Sequence, residues 1–261
     1  GDVYKRQGMN RLQISLLRRF ILCNAVKQGL GVGADGGQGA FQVVGHPGDQ
    51  LLLFLLRELL LRTLRYRDDK AAGKNPPLDV KLEAMLPVVN REIPIKCHAH
   101  RADDILTAVR IAREFDLKLT LDHCTDGELI ADELAKEQVP VFVGPSFGGK
   151  TKVELRNKSF TTAGTLYRAG LTVSIITDAP VIPLQYLPLA AGLAASAGLP
   201  MEEAWHAITI NPAHVVGIAD RVGSLEVGKD ADIAIFEGNP LRDIQCRTKA
   251  VFVGGKQVVG E

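Results

Sequence analysis

The sequence predicts an α/β protein with a parallel β-sheet, on three observations. From about Pro77 onward, apolar strand-like segments alternate regularly with helical segments, which is the pattern of consecutive βαβ units. Most of the strand-like segments are apolar nearly throughout, as expected for strands that are buried on both faces. The composition, with 46% hydrophobic and 5% aromatic residues, fits buried strands covered by helices better than an antiparallel sandwich.

The alternating elements follow one another along the chain. Apolar residues recur at helical spacing from Ile105 to Phe115, for example, which predicts a helix with one buried face. Asn211 and Pro212 offer a helix N-cap followed by proline at the first helical position. The predicted elements are, in chain order, helix 81–90, strand 93–98, helix 102–115, strand 117–123, helix 127–136, strand 139–144, helix 162–169, strand 171–177 and helices 187–195 and 201–209.

The chain before Pro77 differs in composition and lacks the regular alternation of strand and helix patterns. Residues 1–66 are rich in Leu, Arg, Gly and Gln without clear alternation, and the polar stretch Asp68–Pro77 indicates a linker. Leucines occur on every face of Leu51–Leu64, which favours an ordinary buried helix over a membrane anchor. We therefore predict an atypical segment of foreign or frame-shifted origin, then an α/β domain, then a small β-domain of short strands and glycine turns. These three parts span residues 1–76, 77–218 and 219–261.

Charge and cysteine content argue against several classes of function. A formal net charge of +1 does not provide the excess of positive charge that is typical of proteins binding nucleic acid or an anionic membrane. No apolar run reaches the roughly 20 residues of a membrane span, and we expect no signal peptide. The four cysteines are scattered without a CxxC pair, so we interpret them as free thiols of a cytoplasmic protein.

Histidine and aspartate residues stand where predicted strands end. His98 and His123 each close a strand, and Asp178 directly follows the strand at 171–177. The C-terminal ends of parallel strands lie on one side of a sheet, and active sites are built there. Because imidazoles and a carboxylate suit a divalent, zinc-like ion, we predict a metal site of His98, His123 and Asp178. The alternative is that all three are polar residues at turns and helix caps.

Further polar residues are candidates for contacting a substrate. His100 lies just beyond the second predicted strand, and we expect it, with Arg101, to line the pocket. The polar segment 146–159, called loop 146–159 below, follows a strand and carries several basic residues, among them Arg156. Loops at this end of parallel strands usually contact substrate. We predict that Arg156 binds a substrate carboxylate, the alternative being a solvated surface loop.

Several motifs resemble the amidohydrolase superfamily, in particular its imidazolonepropionase-like branch. The motifs occur in the family's order, and the last of them is the most specific. They are IKCHAHRADDI at 95–105, LTLDHCTDG at 119–127, SIITDAPVIP at 174–183, AITINPA at 207–213 and DRVGSLEVGKDADIAIFEGNPL at 220–241. The resemblance implies a partial (β/α)₈ TIM barrel followed by part of a small β-sandwich.

The same resemblance implies a function and a role for each strand-end residue. The protein is expected to hydrolyse non-peptide carbon–nitrogen bonds of a small-molecule substrate. It is expected to use a divalent metal ion for this, with zinc as the first candidate. His98 matches the metal-binding histidine of the family's fifth barrel strand. His123 matches the sixth-strand histidine, which binds metal or polarises the substrate, and Asp178 matches the eighth-strand aspartate, which binds metal and shuttles protons. Relatives of this kind are often dimers, which leaves a homodimer open.

One departure from the family leaves alternatives open. The family's first strand carries a His-x-His pair of metal ligands, whereas His46 is the single histidine that precedes His98. We therefore expect an incomplete hydrolase chain. The alternatives are a non-catalytic fragment without a full metal site and a metal-free barrel that binds a small molecule. In the metal-free barrel, His98, His123 and Asp178 would not converge on one point.

Overall fold

The computed structural model describes residues 41–44 and 50–260, so predictions for Cys23 and His46 lie outside the described residues. Short 3₁₀ turns connect several of the regular elements. The strands and helices are β1 (Phe41–Val44), α1 (Gln50–Ala71), α2 (Val80–Val89), β2 (Ile95–Ala99), α3 (Ala102–Glu114), β3 (Leu119–His123), α4 (Ala131–Glu137), β4 (Val141–Val143), α5 (Thr161–Arg168), β5 (Val173–Ile175), α6 (Leu187–Ser196), α7 (Met201–His206), α8 (Ile210–Val215), β6 (Ile233–Glu237), β7 (Arg247–Val253) and β8 (Lys256–Val259).

Five strands form one sheet in the order β1–β2–β3–β4–β5. The pairs β1–β2, β3–β4 and β4–β5 are parallel. Every residue of β3, β4 and β5 is buried, as expected for strands that are covered on both faces. β4 (VFV) is apolar throughout, whereas β3 (LTLDH) and β5 (VSI) also bury polar side chains. The prediction of an α/β protein with a parallel sheet is therefore confirmed.

The chain divides into two compact units. Of the described residues, the first unit contains those up to His98 together with Ala108–Leu119. The second contains Ala99–Thr107 and the chain from Thr120 onward. The two units are described separately below.

In the first unit, α1 packs against α2. Glu83 of α2 accepts hydrogen bonds from Tyr66 Oη and Lys70 Nζ of α1, both at 2.5 Å. These contacts fix the last turns of α1, which remains helical as far as Ala71. The linker predicted for Asp68–Pro77 is therefore wrong where α1 continues, because tertiary contacts outweigh the polar character of the stretch.

In the second unit, successive elements supply one fully buried leucine each. Leu121 comes from β3, Leu134 from α4 and Leu166 from α5, and all three are completely shielded from solvent. The neighbouring strand β5 adds Val173, which is 2% exposed. The apolar core of this unit is thus built by the alternating strands and helices that the hydrophobic pattern predicts.

The start of α8 differs from the prediction. The helix begins at Ile210, so Asn211 lies inside its first turn and the assignment of Asn211 as an N-cap is wrong. The Asn211 side chain instead donates a hydrogen bond from Nδ2 to the carbonyl oxygen of Val173, at 2.9 Å. This bond ties α8 to β5, and a contact over so long a stretch of chain leaves no local signal in the sequence.

The C-terminal strands β6, β7 and β8 form a separate antiparallel sheet, as the prediction of a small β-domain requires. Gly254 and Gly255 connect β7 to β8, with φ angles of +56° and +78°. Two successive residues with positive φ are the geometry of a tight hairpin turn, which glycine adopts without steric cost. The backbone N–H of Gly254 also donates to Asp232 Oδ1 at 2.7 Å.

A close contact between α6 and the chain near Leu241 gives a test of packing in the second unit. A Cβ atom added at Gly192 would lie 1.9 Å from the carbonyl oxygen of Leu241, which is a backbone atom of a buried residue. We expect Gly192→Ala to lower the free energy of unfolding by about 1–3 kcal/mol. The usual helix-stabilising effect of alanine, about 0.5–1 kcal/mol, is too small to offset this clash.

Differential scanning calorimetry measures the effect of this substitution. Gly149→Ala serves as the control, since Gly149 is exposed and the nearest atom to its added Cβ is the Thr151 methyl group at 3.3 Å. We expect a lower Tm for Gly192→Ala and little change for Gly149→Ala. An unchanged or higher Tm for Gly192→Ala would contradict the close packing of α6.

Two observations concern the predicted cellular setting. Among the residues that the structure describes, no helix combines the length and the apolar character needed to cross a bilayer. No disulfide joins Cys97, Cys124 or Cys246, the cysteines in the described part of the chain. Complete burial raises the pKa of the Cys124 thiol to about 12, so this group stays protonated near neutral pH and is a poor nucleophile.

Candidate metal centre

Three histidines converge where β2 and β3 end. His98 lies in β2, His100 follows the strand by one residue, and His123 is the last residue of β3. Their potential ligand nitrogens all lie within 4.8 Å of one another, and in the described part of the chain theirs is the group that could hold a metal ion. Imidazole nitrogens are ligands that zinc accepts in catalytic sites, so the donor set fits this ion.

The ring of His123 is oriented as metal-ligating histidines usually are. The residue is buried, and its Nδ1 lies 2.6 Å from the carbonyl oxygen of Gly144. A carbonyl oxygen only accepts, so Nδ1 carries the proton and Nε2 carries the lone pair of the neutral ring. A ring N–H that donates to a backbone carbonyl fixes the tautomer and the orientation of a metal ligand.

The backbone is left-handed at two of the predicted site residues, His123 and Asp178. His123, at the end of β3, has a φ of +68°, and Asp178, which follows β5, has a φ of +52°. Residues other than glycine are seldom left-handed, and a conformation of this kind costs on the order of 1–3 kcal/mol. The same φ of +52° occurs at Asp116 and Gln138, so a left-handed conformation does not by itself mark a functional residue in this chain.

His100 is part of the histidine group, which the sequence analysis did not predict. Its ring stacks on that of His123 with centroids 4.6 Å apart and an interplanar angle of 29°. A hydrogen bond of 2.8 Å joins His100 Nδ1 to Thr125 Oγ1. The signal for this role is the spacing, because residues two apart on a strand are expected to point to the same face, and His98 and His100 are two apart in the CHAH stretch.

The remaining predicted site residues lie outside this group. Asp178 is exposed and does not join the three histidines. Arg101 forms a two-pronged ion pair with Asp103, through Nε at 2.9 Å and Nη2 at 2.7 Å. Arg156 is exposed in loop 146–159. The metal role of Asp178 and the substrate contacts of Arg101 and Arg156 therefore stay predictions.

Two lysines of loop 146–159 are held by carbonyl oxygens of the loop itself. Lys150 Nζ donates to the carbonyl oxygen of Arg156 at 2.8 Å, and Lys158 Nζ donates to that of Gly149 at 3.1 Å. Partial burial, followed by the charge of Lys150, lowers the pKa of the Lys158 ammonium group. The lowered pKa reflects positive charge that is concentrated in a partly desolvated loop.

A comparison with known families settles the assignment. The model of the amidohydrolase family matches residues 93–258. This chain belongs to the amidohydrolase family. The matched span contains every residue that we predicted for the site, and the resemblance noted from the sequence motifs is confirmed. The three histidines are thus a candidate metal centre of an amidohydrolase.

Curated relatives of this amidohydrolase chain are considerably longer than the chain itself. Amidohydrolase tasK of Hapsidospora irregularis is 26% identical over 178 residues, which cover 63% of this chain and 17% of that protein. Imidazolonepropionase of Geobacillus kaustophilus is 34% identical over 149 residues, which cover 52% of this chain and 35% of that protein. The matches therefore span about a third or less of these two relatives.

A solved amidohydrolase structure supports the fold. The amidohydrolase of Thermotoga maritima MSB8 superimposes with a TM-score of 0.80 and 31% sequence identity, covering 88% of this chain and 64% of that one. The predicted partial (β/α)₈ TIM barrel with part of a β-sandwich is confirmed. The superposition covers 88% of this chain, which is more than residues 77–261 alone would give. The structural similarity therefore extends to residues before Pro77. The domain boundaries themselves stay a prediction.

Proposed function

We propose that this amidohydrolase is a zinc-dependent hydrolase of carbon–nitrogen bonds other than peptide bonds, with a small molecule as its substrate. The observation that carries the proposal is the convergence of three imidazoles, from His98, His100 and His123, with ligand nitrogens within 4.8 Å. Similarity to two relatives, an imidazolonepropionase and an amidohydrolase, supports hydrolysis of such bonds.

The residues present fit the metal in number and in chemistry. His98, His100 and His123 would hold zinc through ring nitrogens, and the Gly144 carbonyl keeps the imidazole of His123 in the tautomer that offers Nε2. When bound, zinc supplies a Lewis acid that polarises the carbonyl or imine under attack and makes water more acidic.

We assign proton transfer to Asp178. Its carboxylate accepts a proton from the attacking water as the new carbon–oxygen bond forms, and donates that proton to the leaving nitrogen as the carbon–nitrogen bond breaks. The position after β5 supports this role, because polar groups at the C-terminal ends of parallel strands face the active site of such folds. The exposure of Asp178 leaves its carboxylate accessible to a substrate.

The charge of loop 146–159 favours a substrate that carries a carboxylate. Lys150 and Lys158 have backbone carbonyl oxygens as partners, and the exposed Arg156 lies in the same loop. Cationic side chains attract anions and bind carboxylates by charge-assisted hydrogen bonds. Arg101 is a weaker candidate, because a substrate would compete with its ion pair to Asp103.

Arg156→Ala is expected to raise KM about tenfold or more for a substrate with a carboxylate, the range expected for a lost hydrogen bond to a charged group. Steady-state kinetics on an N-acyl amino acid and on its neutral carboxamide separate binding of the carboxylate from general effects. Arg242→Ala, an exposed arginine of the same chain, is the control. Equal changes in KM for the acid and the amide would reject the role of Arg156.

The proposed activity is tested by measuring product release on a panel of cyclic and linear amides. The protein is stripped of metal, and reloaded with one equivalent of zinc before each assay. We expect amine or ammonia release with the reloaded protein and loss of that release after chelation. Zinc that is bound without turnover of any amide would instead favour the non-catalytic alternative. Whether the chain forms a homodimer is a separate question, which light scattering coupled to size-exclusion chromatography answers.

A further inference from the structure

The buried carboxylate of Asp126 joins three segments of the second unit. Asp126 is 7% exposed. Its Oδ2 accepts a hydrogen bond from the backbone N–H of Ala102 at 3.1 Å, at the start of α3. Its Oδ1 accepts a hydrogen bond from Asn157 Nδ2 at 2.9 Å, in loop 146–159. A buried carboxylate needs such partners, since an unpaired charge in the interior is strongly unfavourable.

The chain around Asp126 also holds His100. The backbone N–H of Asp126 donates to the carbonyl oxygen of His100 at 2.8 Å. Thr125 Oγ1 is hydrogen-bonded to the His100 ring at Nδ1, and the N–H of Cys124 donates to the carbonyl oxygen of Ala99. Both the backbone and the ring of His100 are therefore fixed by the three residues that follow β3.

Loop 146–159 is consequently attached to the same short segment that fixes a histidine of the candidate centre. The hydrogen bond from Asn157 to Asp126 connects the loop to this segment at a buried carboxylate. Hydrogen bonds to a charged acceptor are stronger than neutral ones and lose more when one partner is removed. Through this hydrogen bond, docking of the loop can affect how firmly His100 is held in position, and the reverse.

We propose that Asp126 is a positioning residue that couples loop 146–159 to the histidine group, so that metal binding orders the loop and the docked loop strengthens metal binding. The proposal rests on the proposed function, because it takes the histidines as metal ligands. Coupling between two sites is reciprocal, so an effect in one direction requires the same effect in the other. A partner that orients a metal ligand without touching the metal typically contributes 10–100-fold in affinity.

The first measurement is zinc affinity, by competition with a chromophoric chelator. Asp126→Ala is expected to weaken zinc binding about 10- to 100-fold relative to the unsubstituted protein. Asp132→Ala, which changes an exposed aspartate in α4, is the matched control and should bind zinc normally. Normal zinc affinity in Asp126→Ala would overturn the proposal while leaving the proposed function intact. Failure of the unsubstituted protein to bind zinc would overturn both.

The second measurement is hydrogen exchange of the amides of loop 146–159, with and without zinc. We expect zinc to slow the exchange of the loop amides in the unsubstituted protein. In Asn157→Ala with zinc, these amides should exchange about tenfold faster or more than in the unsubstituted protein with zinc. Loop protection that is independent of zinc would overturn the coupling, because a purely structural hydrogen bond would not respond to the metal.

A reciprocal pair of variants covers the case in which Asp126→Ala fails to fold. Asn157→Asp places two carboxylates opposite each other and should release the loop. Adding Asp126→Asn reverses donor and acceptor, restores the hydrogen bond, and should recover the zinc-dependent protection of the loop. Absence of recovery in the folded double variant would contradict the assigned role of the Asp126–Asn157 contact.

Discussion

His123→Ala is expected to weaken zinc binding by more than about 100-fold, because loss of a ligand should exceed the 10–100-fold effect of losing a residue that only orients one. The side chain is buried, its ring is fixed by the Gly144 carbonyl, and it stacks on His100. Its removal therefore takes away both a ligand and the ring against which a second ligand packs. Isothermal titration with zinc measures the change in affinity.

His214→Ala is the matched control for this substitution. His214 is exposed in α8 and is not a member of the histidine group. We expect it to bind zinc as tightly as the unsubstituted protein. Calorimetry on metal-free samples of both variants separates a loss of zinc binding from a loss of folding. Zinc affinity that is equal in the two variants would remove His123 from the metal centre.

Asp178→Asn is expected to lower kcat about 10²- to 10⁴-fold, which is the usual contribution of a positioned acid–base group. Asparagine has nearly the same shape and keeps an oxygen that can act as a ligand, but it cannot accept and return a proton. The left-handed conformation at φ +52° is one that asparagine tolerates better than most residues, so we expect the backbone to be kept. Steady-state kinetics with a hydrolysed amide give kcat directly.

Zinc affinity, measured on the same samples, separates the two roles predicted for Asp178. Normal zinc binding with a low kcat would favour proton transfer alone, whereas weaker binding would add a ligand role. Asp132→Asn, at an exposed position in α4, should leave both quantities unchanged. A kcat for Asp178→Asn within about threefold of the unsubstituted value would reject the proton-transfer role, since that role predicts far more.

The regular part of the fold could be predicted because its local and tertiary signals agree. Every predicted strand from residue 93 to 177 has its counterpart among β2 to β5, and the helices between them begin within a few residues of their predicted positions. Buried parallel strands give long apolar runs, and amphipathic helices give a regular spacing, so a single sequence carries both. The strand ends, and with them His98 and His123, follow directly from that pattern.

Features that depend on distant contacts could not be predicted. The helix α1 continues to Ala71 because Glu83 contacts its last turns, and Asn211 bonds to β5 instead of capping α8. Asp126 shows the same limit, because its partner Asn157 is remote in the sequence. His100 is a different case, since its spacing from the preceding histidine carried the signal and we assigned it to the pocket instead.

Anomalous diffraction at the zinc edge, from crystals of the zinc-loaded protein, tests the central claim most directly. We predict one strong anomalous peak, which marks a zinc ion that lies about 2.0–2.1 Å from ring nitrogens of His98, His100 and His123. A zinc peak elsewhere, or zinc-loaded crystals without a peak at these three imidazoles, would contradict the assignment of a metal centre and the hydrolytic function proposed from it.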